Sequence, residues 1–175
     1  PDIFTEGKID MEKFKATFSD DINFANERYV LNWAGKSDAF KVLQIPTTAT
    51  LKPQHDQSVN FDTTQNVFIE GENLEVLKVL QKSYYGKVRV VSIDPPYNTG
   101  NEDDFKYNDD FVDKEDAYRH SKWLSFIDKR IKILKKLLKE DGVIFISIGE
   151  DELCNLILLM NERFNEDNRL AIITR

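Results

Sequence analysis

From residue 66 onward the apolar positions fall into two periods, and each change of period marks a new element. Leu74, Leu77, Val79 and Leu80 lie mostly on one helical face after a short strand at Val67 to Ile69, and Gly86 supplies a helix stop. Val88, Val90, Val91 and Ile93 then crowd together too densely for simple alternation, as in a parallel strand covered on both faces. Helical spacing returns over 121–140 through Trp123, Phe126, Ile127, Ile131, Leu134, Leu137 and Leu138, with Asp141-Gly142 as the closing signal. "VIFISI" (143–148) predicts a second buried strand, and Leu153, Leu156, Ile157 and Met160 predict a helix from about Asp151 to Phe164. "LAIIT" from Leu170 begins a further strand. Strands alternating with helices in this way predict an α/β fold built on a parallel sheet.

Residues 1–65 lack such periods and predict an N-terminal arm of mixed helix and loop ahead of a catalytic region, 66–175. Within the arm "MEKFKATF" predicts one short helix, while Pro46, Pro53 and the Thr, Asn and Asp around them predict an extended or looping segment. Gly35-Lys36-Ser37 has the tail of a phosphate-binding P-loop, but Val30 stands where the first glycine is needed, which excludes that reading.

Composition adds boundaries. A chain of 175 residues with 41% hydrophobic content suffices for one ordinary core. Cys154, alone of its kind and in an apolar helical pattern, is expected as a core thiol in a reducing compartment, with no metal-ligand spacing to His55 or His120. No window reaches the roughly 18 to 20 apolar residues of a membrane span, so a cytoplasmic protein without a membrane partner is expected. A net charge of −7 weighs mildly against nucleic acid as a partner of this segment by itself.

The chemistry concentrates where the first dense strand ends, in "DPPYN". In parallel α/β sheets, reactions take place beyond the carboxyl ends of the strands. Two prolines there make a rigid elbow, because each fixes φ and lacks an N–H. The Asp94 carboxylate and the Pro95 carbonyl can both accept hydrogen bonds, Pro96 brings no competing donor, and Tyr97 adds a flat face. A planar ring bearing an amino group suits such a site. Acceptors aimed at the amine hydrogens localise the nitrogen lone pair and stabilise the positive charge that grows as nitrogen attacks a methyl group. One well-placed group of this kind contributes roughly 3 to 4 kcal/mol. The plainer reading is a strand-ending turn and nothing more.

"SIDPPYNTG" after a buried strand resembles the catalytic motif of amino-group DNA methyltransferases, in the DPPY form of the adenine-specific members. "FIEGENLEVLKVLQKSYYGKV", "YNDDF", "KWLSFIDKRIKILKKLLKEDGVIFISI", "ERYVLNWAGKSDAFKV" and "FDTTQN" extend the likeness to the modification subunit of type III restriction–modification systems, over nearly the whole chain. The resemblance implies part of a doubly wound, Rossmann-like parallel sheet and methyl transfer from S-adenosylmethionine to the exocyclic amine of adenine in double-stranded DNA. It also implies a restriction subunit as partner and a modification-subunit homodimer. Asp94, Pro95, Pro96 and Tyr97 are its implied catalytic residues, with Tyr97 stacking a flipped base and Asn98 helping to shape the turn. Glu72, Asn73 and Asp94 are implied neighbours of the cofactor. Glu72 replaces the usual Asp, and Asn73 has an equally good reading as a helix cap. Gly149 in "ISIGEDE" replaces a common acid and is given no role. In the permuted order of this group the glycine-containing FxGxG cofactor motif lies further on, and its absence here reads as a fragment, inactive by itself.

Lys122, Lys129, Arg130, Lys132, Lys135, Lys136 and Lys139 along one helix offer a DNA track but read more simply as a solvated face. The acidic stretch 101–116 repels phosphate and is expected as a mobile loop. Trp33 and Trp123 are expected in a core or an interface. Two alternatives stand beside the methyltransferase: an enzyme acting on another amine or amide (RNA, free base or protein), and a non-catalytic interaction domain on the same scaffold.

Overall fold

The computed structural model describes residues 4–5, 8–9, 30–101, 104–108 and 110–174, so the helix expected at "MEKFKATF" lies outside the described residues. The chain divides into two compact units, residues 1–30 and 31–175. In the first, β1 (Phe4–Thr5) and β2 (Lys8–Ile9) pair antiparallel. The second holds α1 (Lys36–Gln44), α2 (Asn73–Tyr84), β3 (Val88–Ile93), β4 (Lys106–Tyr107), β5 (Asp110–Phe111), α3 (Arg119–Leu137), β6 (Leu138–Ile146) and α4 (Glu150–Phe164).

The second unit is organised around α3. Trp123, Ile127, Ile131 and Ile133 are almost wholly buried on it, and α1, α2 and α4 all pack against it. Trp33 closes the core from the segment before α1 by donating Nε1–H to Ser125 Oγ at 3.0 Å, so both tryptophans lie in the interior as expected. Beneath the helices β3 and β6 run parallel, with Val90 opposite Val143 and Ile93 opposite Ile146. The chain is therefore mixed α/β with a parallel strand pair. Alternation along β3 shows only one covered face. Val91 is buried, whereas Val90 (58% exposed) and Phe145 (54%) face outward on the other side, contrary to a strand covered on both faces.

Several boundaries differ from the sequence expectation for physical reasons. Helix α3 stops at Leu137, because Leu138 turns extended (φ −61°, ψ 141°) to pair with Val88, and Asp141-Gly142 belongs to β6. Helix α2 ends as expected, with Gly86 at φ 62° just past its cap. Residues 67–69 and 170–174 form no strand among the described residues: a strand exists through its ladder, and Val67, Phe68, Leu170 and Ile173 stand exposed without one. Cys154 is exposed rather than a core thiol. Glu152, Leu156 and Leu159 define the buried side of α4, and a position two residues from Glu152 turns to the far side of a 3.6-residue helix.

The acidic stretch departs most from expectation. It contains the antiparallel β4–β5 hairpin, flanked by Phe105 and Val112, both buried. The Val112 amide donates to the Phe105 carbonyl at 3.1 Å, and Phe105 meets Phe126 edge-on at 5.3 Å. Two of its described acids are engaged locally. Asp113 accepts from the Glu115 amide, while Asp116 accepts from the Tyr118 amide and from Lys122. Two buried apolar residues anchor a segment whose composition alone reads as loose.

Candidate active site

Strand β3 delivers Asp94 to the carboxyl rim of the sheet, and β6 ends beside it, with the Ser147 amide donating to the Ile93 carbonyl at 3.0 Å. Asp94 is exposed at this rim, Pro95 is buried, and Pro96 and Tyr97 are half-buried. These four predicted residues are thus contiguous at the edge where parallel sheets expose their chemistry. The Asp94 carboxylate, as an acceptor and a negative charge beside the Tyr97 hydroxyl, holds the phenol above its ordinary pKa, with burial adding to the shift.

Three contacts hold the elbow, none of them legible in the motif. The Trp123 indole donates Nε1–H to the Pro96 carbonyl at 2.8 Å, fixing the second proline to the central helix. Gly149, between β6 and α4, backs the Tyr97 ring: a Cβ placed there would lie 3.2 Å from Cδ2 and 3.5 Å from Cγ. Asn98 is fully buried with φ 58°, a left-handed conformation that Asn tolerates better than most residues. Its Nδ2 donates to Glu152 Oε1, and more weakly to the Arg119 carbonyl at 3.4 Å. Glu152, itself fully buried, also meets His120 Nδ1 at 2.8 Å and accepts from Asn155 Nδ2 at 2.7 Å. Just beyond, Gly100 (φ 79°) passes so close to Lys114 that a Cβ would sit 2.5 Å from that side chain, so only glycine fits.

Glu72 and Asn73 are placed differently. Glu72, not Asn73, caps α2, accepting from the Glu75 amide at 2.9 Å. Both side chains are engaged by Arg130 on α3, whose Nε donates to Asn73 Oδ1 at 2.7 Å and whose Nη2 donates to Glu72 Oε1 at 3.1 Å. Arg130 also lies over the Phe126 ring at 3.6 Å. Burial pushes its guanidinium pKa down, and Glu72 opposes that shift as the counter-charge. The basic series on α3 is partly consumed in the same way. Lys122 pairs with Asp116, Lys132 and Arg163 with the buried Asp128, and Lys135 donates to the Arg163 carbonyl. Lys122, Arg130 and Lys132 thus serve the fold, whereas Lys135, Lys136 and Lys139 are exposed, as a solvated face requires.

Sequence reasoning missed Trp123, Gly149, Glu152 and Arg130 as parts of the site because each acts through a neighbour distant in sequence. Gly149 alone left a trace, standing where an acid is more usual.

A family model described as DNA methylase matches residues 88–174, from the first residue of β3 through the elbow, α3 and α4. The Mod subunit of the type III restriction-modification enzyme EcoPI, from Escherichia phage P1, is 40% identical over 176 residues, covering 86% of this chain and 27% of the relative. The EcoP15I Mod subunit of Escherichia coli is 38% identical over the same shares of each. The probable HindVI Mod subunit of Haemophilus influenzae is 47% identical over 110 residues, 63% of this chain and 14% of the relative. The chain spans about a quarter of the length of the first two. With the whole elbow and the helix that fastens it inside the match, residues 88–174 belong to the DNA methylase family.

Proposed function

We propose that this chain carries the amine-activating part of an adenine-specific DNA methyltransferase, the modification subunit of a type III restriction–modification system. The observation that carries the reading is Asp94, an exposed carboxylate held at the carboxyl rim of β3 by a rigid two-proline elbow. An amide-like exocyclic amine needs acceptors for its hydrogens before its nitrogen can attack. The exposed Asp94 carboxylate can accept such a bond, and the Pro95 carbonyl is the adjacent acceptor. Tyr97, backed by Gly149, offers its ring to a base taken out of the duplex stack. Positive charge growing on the amine nitrogen is stabilised by Asp94, and Trp123 keeps the elbow from relaxing as that happens.

S-adenosylmethionine would supply the electrophilic methyl group. Toward it the described residues are incomplete: Asp94 is open, but Glu72 and Asn73, the other two expected neighbours, are already engaged by Arg130. They do not by themselves fit the cofactor, and we assign the rest of its pocket to sequence outside them. In the same reading β3 and β6 are neighbours in a larger doubly wound sheet, whose further elements cover Val90 and Phe145. Double-stranded DNA, a restriction subunit and a second modification subunit are its partners in a cytoplasmic setting. No helix among the described residues is long and apolar enough to cross a membrane.

The test is Asp94→Ala in the full-length protein, with unmethylated genomic DNA and methyl-labelled S-adenosylmethionine. Methyl incorporation should fall by about 100- to 1,000-fold while DNA affinity stays within about threefold, since the carboxylate acts mainly in the transition state. Asp94→Asn, which still accepts one hydrogen bond, should retain part of the rate. Near-wild-type incorporation by Asp94→Ala would exclude the mechanism. Methylation of RNA or protein but not DNA would favour another amine or amide as substrate, and no transfer to any of them would favour the interaction domain.

A further inference from the structure

We infer that Glu152 is a positioning residue for the catalytic elbow, acting through Asn98; the inference rests on the methyltransferase reading above. A carboxylate without exposed surface is costly unless its oxygens are filled, and this one is filled from three directions. Asn98 comes from the elbow, His120 from the first turn of α3, and Asn155 from Glu152's own helix. Asn98 is fully buried, so water cannot replace its bond to Glu152. Among the described residues the bond also has no substitute of comparable geometry. Asn98 Oδ1 is buried without a partner, and the contact of Nδ2 with the Arg119 carbonyl is long at 3.4 Å.

Position in the chain turns this bond into a device. Asn98 directly follows Tyr97, and its φ of 58° sets the direction in which the backbone leaves the tyrosine. A left-handed non-glycine residue persists only where its surroundings over-determine it, and here the surrounding group is Glu152. The elbow is thereby strung between two fixed points, Trp123 at the Pro96 carbonyl and Glu152 at the Asn98 side chain, with the Tyr97 ring between them. Loss of Glu152 frees the second point while leaving Asp94, Pro95 and Tyr97 chemically intact. The rate should then suffer through geometry, without a matching loss of cofactor affinity.

The experiment compares Glu152→Leu, Glu152→Gln and Asn98→Gly in the full-length protein, with S-adenosylmethionine and unmethylated genomic DNA. Indole-15N spectra are recorded in parallel, with Trp123 and Trp33 assigned by Trp→Phe substitution. Glu152→Leu is expected to lower kcat at least about 30-fold with KM for S-adenosylmethionine within about threefold. Glu152→Gln keeps an acceptor for Asn98 and should stay within about threefold of wild type. Asn98→Gly removes the held side chain where φ suits glycine, and should reproduce the Leu phenotype even if Glu152→Leu fails to fold. The Trp123 indole signal should move in the Leu and Gly variants, while that of Trp33, bonded to Ser125, stays in place.

Wild-type kcat in Glu152→Leu or in Asn98→Gly, Glu152→Gln as inactive as Glu152→Leu, or a parallel rise in KM would overturn the inference. If the wild-type protein transfers no methyl group to DNA, the methyltransferase reading fails separately and the indole spectra decide alone: an unmoved Trp123 signal overturns the positioning role, and a selective shift supports it.

Discussion

Replacing Trp123 by Phe separates the hydrogen bond that fixes the elbow from the packing that surrounds it. The indole has no exposed surface and its N–H reaches the Pro96 carbonyl at 2.8 Å. Losing that bond costs about 1 kcal/mol, the net contribution of an ordinary hydrogen bond. Complete truncation of a buried Trp costs about 3 to 5 kcal/mol; phenylalanine keeps most of the ring volume, leaving about 1 to 2 kcal/mol for the void. The sum, about 2 to 3 kcal/mol, should appear as a lower urea midpoint at unchanged slope and as a melting temperature lower by about 4 to 12 °C. Trp33→Phe is the matched control, because it also loses an indole hydrogen bond, but to Ser125 and away from the elbow. In the full-length protein Trp123→Phe should lower kcat by about tenfold or more, and Trp33→Phe by less than about twofold. Equal stability losses with equal, near-wild-type rates would refute the claim that the indole holds the elbow. A loss below about 0.5 kcal/mol in Trp123→Phe would refute the packing account itself.

The elbow and the hairpin each carry a further expectation. The Asp94 carboxylate favours the protonated phenol of Tyr97, so Asp94→Asn should move that phenol's titration down toward the ordinary value; ultraviolet difference titration against Tyr97→Phe reads it, and an unchanged or higher pKa would contradict the contact. The Val112 amide, bonded to the Phe105 carbonyl between two buried side chains, should exchange with solvent far more slowly than the amides of Lys114 and Glu115, and exchange at the same rate would restore the mobile-loop expectation.

The sequence by itself determined what local rules can decide. Helical periods located α2, the body of α3 and α4, the dense run 88–93 marked a strand, and two prolines after an acid at its end identified the chemical rim. Each of those inferences needs only a neighbour within a few residues: a helix repeats every 3.6 positions, and proline restricts its own φ and the residue before it. Tertiary structure decided everything that depends on a partner far along the chain. Expected strands at 67–69 and 170–174 found no ladder, whereas Leu138, read as helical, found Val88 and became strand. Asn73 and Glu72, read as cofactor neighbours, are engaged by Arg130 from α3, and three of the cations read as a helix surface, Lys122, Lys132 and Arg130, are matched to Asp116, Asp128 and Glu72. The acids of 101–116 hid two apolar anchors, because composition averages over positions while burial is decided one side chain at a time. Most consequentially, the DPPY motif names the reacting groups but not what holds them still. That depends on Trp123 and Glu152, 27 and 54 residues from their elbow partners Pro96 and Asn98, and folding alone brings those pairs within hydrogen-bonding reach.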